Sequence, residues 1–366
     1  MFWYRYRRKP PVSFKFKAFA YFHNRFSLVY CKAMNSVDKQ TLIDIPELGF
    51  IVISKGEIVL EIEPLCNVYS NIDNYKDAWR WKPVLRYMRD YLSHHDDFEG
   101  SYFVCIYDAW REYSQFCPKE FRTIVCWHDL SENQKNKYKG QGNANEPRFV
   151  HDPDNITVYP VLSRPVLAFG RHKDDTSTLL LPDSEFIVSN GFENYKKRVD
   201  SVSPPFNINT QSLLWRGSRN VPRVYTNTYN THGIQHCHVR DLTTAFSQNN
   251  IIDELDASYD VMSVEDMLTY RYLLDIDGMV NAWSGLFWKL YSHSVVFKVQ
   301  SYYEQWYYDM LIPLVHYIPL NTLFDIPYYL NVCNADLNKT TFIIHQSRSL
   351  ANSLTYDYAI SKYNIH

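Results

Sequence analysis

The chain has 366 residues, and 46% of them are hydrophobic, so it can bury a sizeable core and has room for two domains. Its 38 lysines and arginines nearly balance 40 aspartates and glutamates, which argues against a general nucleic-acid binder. No apolar run approaches the roughly 20 residues of a membrane helix. The seven cysteines are odd in number and form no C-x-x-C pair, which predicts reduced thiols and a cytoplasmic location.

The first 19 residues, MFWYRYRRKPPVSFKFKAF, alternate aromatic with basic side chains and lack the apolar stretch of a signal peptide. Two interpretations stay open. The segment could contact an anionic membrane surface, with its aromatic rings at the interface and its basic groups over the headgroups. It could equally be an amphipathic edge strand.

The N-terminal half is predicted to mix strands and helices. Residues 49–64 read as a β-hairpin that turns at Lys55-Gly56. Residues 77–95 have helical spacing, and a polar loop is predicted over 131–157. The other predicted elements are strands over 100–110, 121–130 and 164–175, the last ending at Gly170-Arg171, a helix over 192–202 and an interdomain linker over 201–211.

After this linker, strands and helices alternate, which predicts a parallel sheet flanked by helices. A helix is expected to begin at about Asn220. The predicted strands are 212–216, 236–242, 272–278, 294–299 and 316–320, and the predicted helices are 263–271, 281–293 and 302–311, followed by three C-terminal helices over roughly 323–333, 336–353 and 354–365.

The stretch SLLWRGSRNVPRVY, residues 212–225, raises the first functional hypothesis. Its apolar strand runs into a turn with three arginines, and ligands of open α/β sheets bind at the carboxyl ends of strands. Gly217 lets a ligand approach the backbone, and Ser218 or Asn220 can cap the following helix. A helix N-terminus with arginines suits a pyrophosphate. The alternative is an arginine-rich surface turn.

The stretch LLDIDGMVNAWSGLFWKL, residues 273–290, forms a second candidate site. Asp275 and Asp277 end a strand, and Gly278 makes a turn before Asn281, Trp283 and Ser284 begin a helix. The D-x-D pair could hold a divalent metal, bind a ribose hydroxyl or cap the helix. By contrast, His236 and His238 supply too few ligands for a zinc site.

Four stretches together resemble glycosyltransferase family 90: WRGSR, YLLDIDG with NAWS and WKL, SHSVVFKVQSYYEQWYYDMLIPLVHYIPL, and RPVLAFGRHKDDTSTLLLPDSEF. The resemblance covers roughly residues 98–360. It implies an α/β protein of the GT-B type, with two Rossmann-like domains facing a cleft. It also implies inverting, metal-independent transfer from a nucleotide sugar, usually a UDP-sugar, without a further cofactor.

The resemblance also implies roles for residues. Asp108, at the end of VCIYD, matches the catalytic base. If Asp108 is not the base, the next candidates by position are His128 and Asp129 at the neighbouring strand end. Gly285-Leu286 stand where the family often carries an arginine, and Lys289 or Lys298 could supply that charge. The expected donor contacts are Arg216, Gly217, Ser218, Arg219, Asn220, Arg223, Asp277, Gly278, Asn281, Trp283, Ser284, Phe169, Gly170 and Arg171.

Residues 1–204 are thus predicted to form an acceptor-side domain with the base, and 205–335 a donor-binding domain. Helices of 336–366 are expected to pack back on the first domain. The predicted function is sugar transfer to a surface glycan such as lipopolysaccharide or capsule, at the cytoplasmic face of the membrane. The alternatives are an inactive nucleotide-sugar- or glycan-binding protein, and a metal-dependent transferase that uses Asp275 and Asp277.

Overall fold

A computed structural model gives the architecture of the chain as a mixed α/β fold with two five-stranded sheets. The segments 1–19 and 131–148 and the residues His236 to His238 lie outside the part that it describes. The described residues are 38–39, 41–42, 48–64, 78–106, 124–126, 149–151, 162–202, 212–218, 239–278 and 281–365.

The first sheet has the strand order β2-β1-β3-β6-β8. The hairpin β1–β2 is antiparallel, as predicted, and Lys55 and Gly56 both have positive φ at its turn (54° and 71°). Strand β3 pairs antiparallel with β1 and parallel with β6, which pairs parallel with β8. The strands are β1 Leu48–Ser54, β2 Glu57–Ile62, β3 Gly100–Cys105, β6 Val166–Ala168 and β8 Thr178–Leu180.

The described part of this half also contains helices and two short ladders. The predicted helices of 77–95 and 192–202 are present, slightly shortened at their ends. The predicted strand of 164–175 is divided, because β6 ends at Ala168 and Arg171 begins another strand that pairs elsewhere. The elements are α1 Ala78–Leu92, α2 Ser184–Val188 and α3 Glu193–Ser201, with the antiparallel pair β4 Ile124–Cys126 and β5 Phe149–His151, and β7 Arg171–His172.

The second sheet is wholly parallel and confirms the predicted strand and helix alternation. Its order is β10-β9-β11-β12-β14, with each neighbouring pair parallel. The strands are β9 Leu213–Arg216, β10 Leu255–Ser258, β11 Tyr272–Asp275, β12 Val295–Val299 and β14 Ile318–Leu320, and the helices between them are α4 Val239–Gln248, α5 Val264–Met267 and α6 Gly285–Tyr291.

Several sequence predictions for this half are wrong in type or boundary, and helix α5 ends at Met267, four residues before its predicted end. Residues 239–242 open helix α4 and are not a strand, because Val239, Thr243 and Phe246 bury one helical face. The expected helix of 302–311 is instead strand β13, Tyr303–Glu304, which pairs with β7, followed by a 3-10 turn. Helix α6 begins at Gly285, four residues later than expected.

Apolar residues of the second sheet pack on both of its faces. Leu213, Trp215 and Tyr272 belong to one hydrophobic cluster, which includes residues of α4 and of the C-terminal helices. Leu214 and Leu273, which point the other way, join a larger cluster that also includes apolar residues of the first sheet and α1. One continuous core therefore connects the two halves of the described chain.

Three C-terminal helices occur close to their predicted positions: α7 Ile326–Ala335, α8 Leu337–Ser353 and α9 Tyr356–Ser361. The last of them packs on α1. Tyr87 donates a hydrogen bond to the Ala359 carbonyl at 2.8 Å, and Tyr356 donates one to Asp90 at 2.7 Å. Within the described ranges, no helix combines the length and apolar character that a bilayer crossing needs.

Candidate active site

Polar side chains line the carboxyl ends of the parallel strands in the second sheet. Counted within that sheet, the strand order is 2-1-3-4-5, so the chain reverses its direction of winding between β9 and β11. Strand ends diverge at such a switch point, and ligands of this fold class bind in the crevice that results. The ends of β9 and β11 are the WRGS and DIDG segments that the sequence singled out.

The end of β9 is fixed by interactions within the sheet. Arg216 donates to the Asp256 carboxylate at 2.6 Å and to its backbone oxygen at 2.9 Å, so its guanidinium is engaged inside the protein. A Cβ atom at Gly217 would lie 2.7 Å from the indole ring of Trp215. Glycine is therefore required here because the Trp215 ring folds across the strand end.

Arg240, in the first turn of α4, bridges the two strand ends at the switch point. Its guanidinium donates to the carbonyl of Ser218, after β9, and to that of Ile276, after β11, both at 2.9 Å. It also lies 5.5 Å over the Trp215 ring. Burial lowers the pKa of this arginine, and Asp277 and Asp275 oppose that effect. The sequence analysis missed Arg240 because the local pattern around it predicts a strand.

A buried cluster of opposite charges lies at the end of β11. Lys298, on β12, contacts Asp275 and Asp277, each at 3.2 Å, and Lys289 contacts Asp275 at 2.7 Å. Asp275, Asp277 and Lys298 are 6%, 8% and 5% exposed. Burial by itself would raise the pKa of Asp275, but the two ammonium groups outweigh it and hold that pKa well below its usual value.

These contacts bear on two hypotheses, that the D-x-D pair holds a divalent metal and that Lys289 or Lys298 replaces the arginine of the family pattern. Both carboxylates already face lysines, and Ser301 donates to the second oxygen of Asp277. A divalent cation would have to displace buried ammonium groups, so the residues do not fit a metal site. The same contacts engage Lys289 and Lys298, which leaves neither lysine well placed to replace the arginine that the family pattern carries.

The loop after Gly278 is held by residues 301–305, which include β13 and the residues on either side of it. Asn281 donates to the Tyr303 carbonyl and, at 3.4 Å, to Ser301, and Gln305 donates to the backbone oxygen of Asn281. Ser301 in turn donates to Asp277, so the loop and the end of β11 form one hydrogen-bonded unit. Asn281 and Ser284 are buried, whereas Trp283 is partly exposed.

The structure brings some of the predicted donor contacts together and separates others. Arg216, Gly217, Ser218, Asp277 and Gly278 lie on the adjacent ends of β9 and β11, and Asn281, Trp283 and Ser284 follow in the attached loop.

The predicted contacts of the first half follow strand β6. Phe169 is 1% exposed in the hydrophobic core, so its ring has no ligand-facing surface. Gly170 is buried beside it, and Arg171 bonds the Thr178 carbonyl at 3.1 Å and Glu304 at 3.4 Å. Asp108, His128, Asp129, Arg219, Asn220 and Arg223 lie outside the described residues.

Comparison with known proteins identifies the family of the chain. The sequence model described as Glycosyl transferase family 90 matches residues 160–366, which is more than half of the chain and includes the whole second sheet. No curated protein matches the chain significantly. The family match spans both strand ends at the switch point and the loop that follows β11. The chain is therefore a glycosyltransferase and belongs to glycosyltransferase family 90.

Proposed function

We propose that the protein transfers a sugar from a nucleotide sugar, specifically a UDP-sugar, to a hydroxyl group of a surface glycan such as lipopolysaccharide or capsule, with inversion. The observation that carries the proposal is the meeting of WRGS and DIDG at the switch point of a parallel sheet. In this fold class the crevice there receives nucleotides and phosphates.

A GT-B arrangement is part of the proposal. In the first sheet, β3, β6 and β8 are parallel to one another, so their carboxyl ends share one edge. Helix α1 reaches from this edge to the 281–284 loop, because Arg80 contacts both Ile106 and Trp283. This contact supports two α/β halves with carboxyl edges on either side of a cleft.

The proposed chemistry is a single in-line displacement. A carboxylate, for which we propose Asp108, takes the proton of the acceptor hydroxyl. At the same time the oxygen of that hydroxyl bonds to the anomeric carbon. The bond from that carbon to the diphosphate breaks at the same time, and the electron pair leaves with the nucleotide. We propose that Arg219, Arg223 and the helix that the sequence predicts from about Asn220 stabilise the leaving charge.

We propose that the enzyme works in the cytoplasm, with residues 1–19 contacting the inner face of the membrane. Neither Cys105 nor Cys333, the two cysteines whose side chains are described, forms a disulfide, which is consistent with a reducing compartment.

Nucleotide binding provides the first test. The melting temperature should rise in the presence of the true donor, because a ligand that binds only the folded state stabilises it by mass action. A screen of UDP, UDP-sugars and purine nucleotides should find the largest shift with a uridine compound.

Arg223→Ala should weaken UDP binding in calorimetry by about 2 kcal/mol, the scale of a charge-assisted contact.

Arg198→Ala is the matched control, since Arg198 pairs on the surface with Glu265, which precedes β11. That variant should bind UDP like the wild type. No shift with any nucleotide sugar would contradict the proposed function, and equal UDP affinity in Arg223→Ala would remove Arg223 from the site. Nucleotide binding without any transfer would favour an inactive binding protein.

Chelation tests how the leaving group is stabilised. We expect sugar transfer to survive EDTA, because arginines and a helix N-terminus can hold the diphosphate and the aspartates of DIDG are occupied by lysines. Transfer rates before and after dialysis against EDTA check this. Complete loss that Mn²⁺ or Mg²⁺ restores would revive the metal-dependent alternative.

A further inference from the structure

Arg80 is a buried arginine at a junction between the two halves of the chain. It lies on α1 and is 0% exposed. Its guanidinium donates to the Ile106 carbonyl at 2.7 Å, one residue after β3, and lies 4.5 Å over the ring of Trp283. One side chain thus joins the exit of β3 to the loop after β11.

Trp283 has a backbone conformation that needs external support. Its φ is +86°, a value that is uncommon for a bulky residue that is not glycine. The surrounding structure has to hold such a residue in place. A planar cation over the indole face is one such restraint, and it comes from the other half of the chain.

Glu185 restrains the next residue of the same loop. Its carboxylate accepts a hydrogen bond from the backbone amide of Ser284 at 3.4 Å, and Tyr195 donates to it at 3.0 Å. Glu185 lies in α2, directly after the carboxyl end of β8. The first half therefore contacts the loop at two consecutive residues through opposite charges.

We propose that Arg80 and Glu185 are positioning residues that hold the 281–284 loop in the conformation that receives the donor. As regards the donor, this inference rests on the proposed function. Asp277 and Asn281 tie the loop to its own sheet through Ser301. Arg80 and Glu185 set the orientation of residues 283–284 of the loop, and Arg80 links them to the end of β3, the strand that precedes Asp108 in the sequence.

Hydrogen exchange tests the positioning without any ligand. Arg80→Lys keeps the charge but loses the planar group that stacks and donates at once. We expect exchange of the Ser284 amide to become about tenfold faster, because local opening of the loop becomes easier. Exchange in β12 should not change. Glu185→Gln provides a second, partly exposed position and should give the same pattern.

Arg89→Lys is the control on the same helix. Arg89 pairs on the surface with Glu61 of β2 at 2.7 Å, so its replacement changes an arginine contact of α1 that involves neither α2 nor the 281–284 loop. It should leave exchange at Ser284 unchanged. Unchanged exchange at Ser284 in both Arg80→Lys and Glu185→Gln would overturn the proposal.

The functional consequence is read from binding of UDP and from the two KM values. Arg80→Lys should weaken UDP binding or raise the donor KM about tenfold while the acceptor KM stays within about twofold. Wild-type UDP affinity and donor KM in Arg80→Lys would overturn the role in donor binding. A wild-type protein that binds no nucleotide would instead refute the proposed function, and hydrogen exchange would still decide whether Arg80 positions the loop.

Discussion

Replacing Asp108 by asparagine is expected to lower the rate of sugar transfer by roughly a hundredfold or more. Asparagine keeps the size and most of the hydrogen bonding of aspartate but cannot accept the proton of the acceptor hydroxyl, and a general base typically contributes this much. UDP affinity should stay near the wild-type value, since the proposed diphosphate site lies in the second sheet. The melting temperature should also change little if Asp108 faces the cleft.

These three quantities should be measured on the same preparation. If Asp108 only capped a turn, its loss would cost about 1 kcal/mol of stability, and activity would fall modestly and in proportion. Asp129→Asn is a suitable companion, because Asp129 lies at the end of the next predicted strand. An Asp108→Asn enzyme with most of its turnover would refute the assignment and move the search for the base to His128 and Asp129.

Much of the candidate site could be predicted from the sequence, because the apolar strands of the second sheet are followed directly by polar residues. LLW before Arg216 and YLL before Asp275 are buried runs, and the direction of a parallel strand fixes which end carries the ligand. The order of the strands in the sheet was not predictable in this way. The ends of β9 and β11 meet at the switch point because β10 pairs on the other side of β9, and β10 is a short strand that the sequence analysis missed.

The errors have physical causes in the side-chain patterns. Residues 236–242 alternate polar and apolar side chains, which resembles a strand until the burial of Phe246 is known. In 302–311, Tyr303, Trp306 and Tyr307 recur at helical spacing, and all three are buried. The backbone of Tyr303–Glu304 pairs instead with Arg171–His172, and a contact between residues so far apart in the sequence cannot be predicted from the local pattern.

Lys298 carried a signal that the sequence analysis undervalued. It sits in the middle of VVFKV, a run in which every residue is buried. A lysine is almost never fully buried without a partner. Two aspartates that end the neighbouring strand are the obvious partners, so the D-x-D motif and the apolar-flanked lysine could have been joined into one structural cluster from the sequence.

Removing the charge of Lys298 is therefore expected to be among the most destabilising single changes. Lys298→Met keeps the length of the side chain but leaves Asp277 without its ammonium partner and Asp275 with Lys289 alone. Losing one partner of a buried ion pair costs about 3–5 kcal/mol. Urea denaturation at pH 7 should show this loss, which is a large part of a typical total of roughly 5–15 kcal/mol.

The pH dependence separates this electrostatic effect from a packing defect. The lysines hold the pKa of Asp275 below its unfolded value of about 3.9, so the stability that the cluster contributes is present above that pH and is lost as the pH falls through the folded pKa. The difference in unfolding free energy between wild type and Lys298→Met should be largest near pH 7. It should shrink progressively below about pH 4, the unfolded value, and be lost as the pH falls through the lowered folded pKa of Asp275.

Two further variants complete the argument. Lys289→Met should cost less than Lys298→Met, because Lys289 is more exposed and Asp275 keeps its contact with Lys298. Adding Asp277→Asn to Lys298→Met should recover roughly half of the loss, since an unpaired buried charge is then removed. A deficit that is as large in acid as at neutral pH, with no recovery in the double variant, would contradict the ion-pair explanation. It would indicate instead that the substituted side chain leaves a packing defect between β11 and β12.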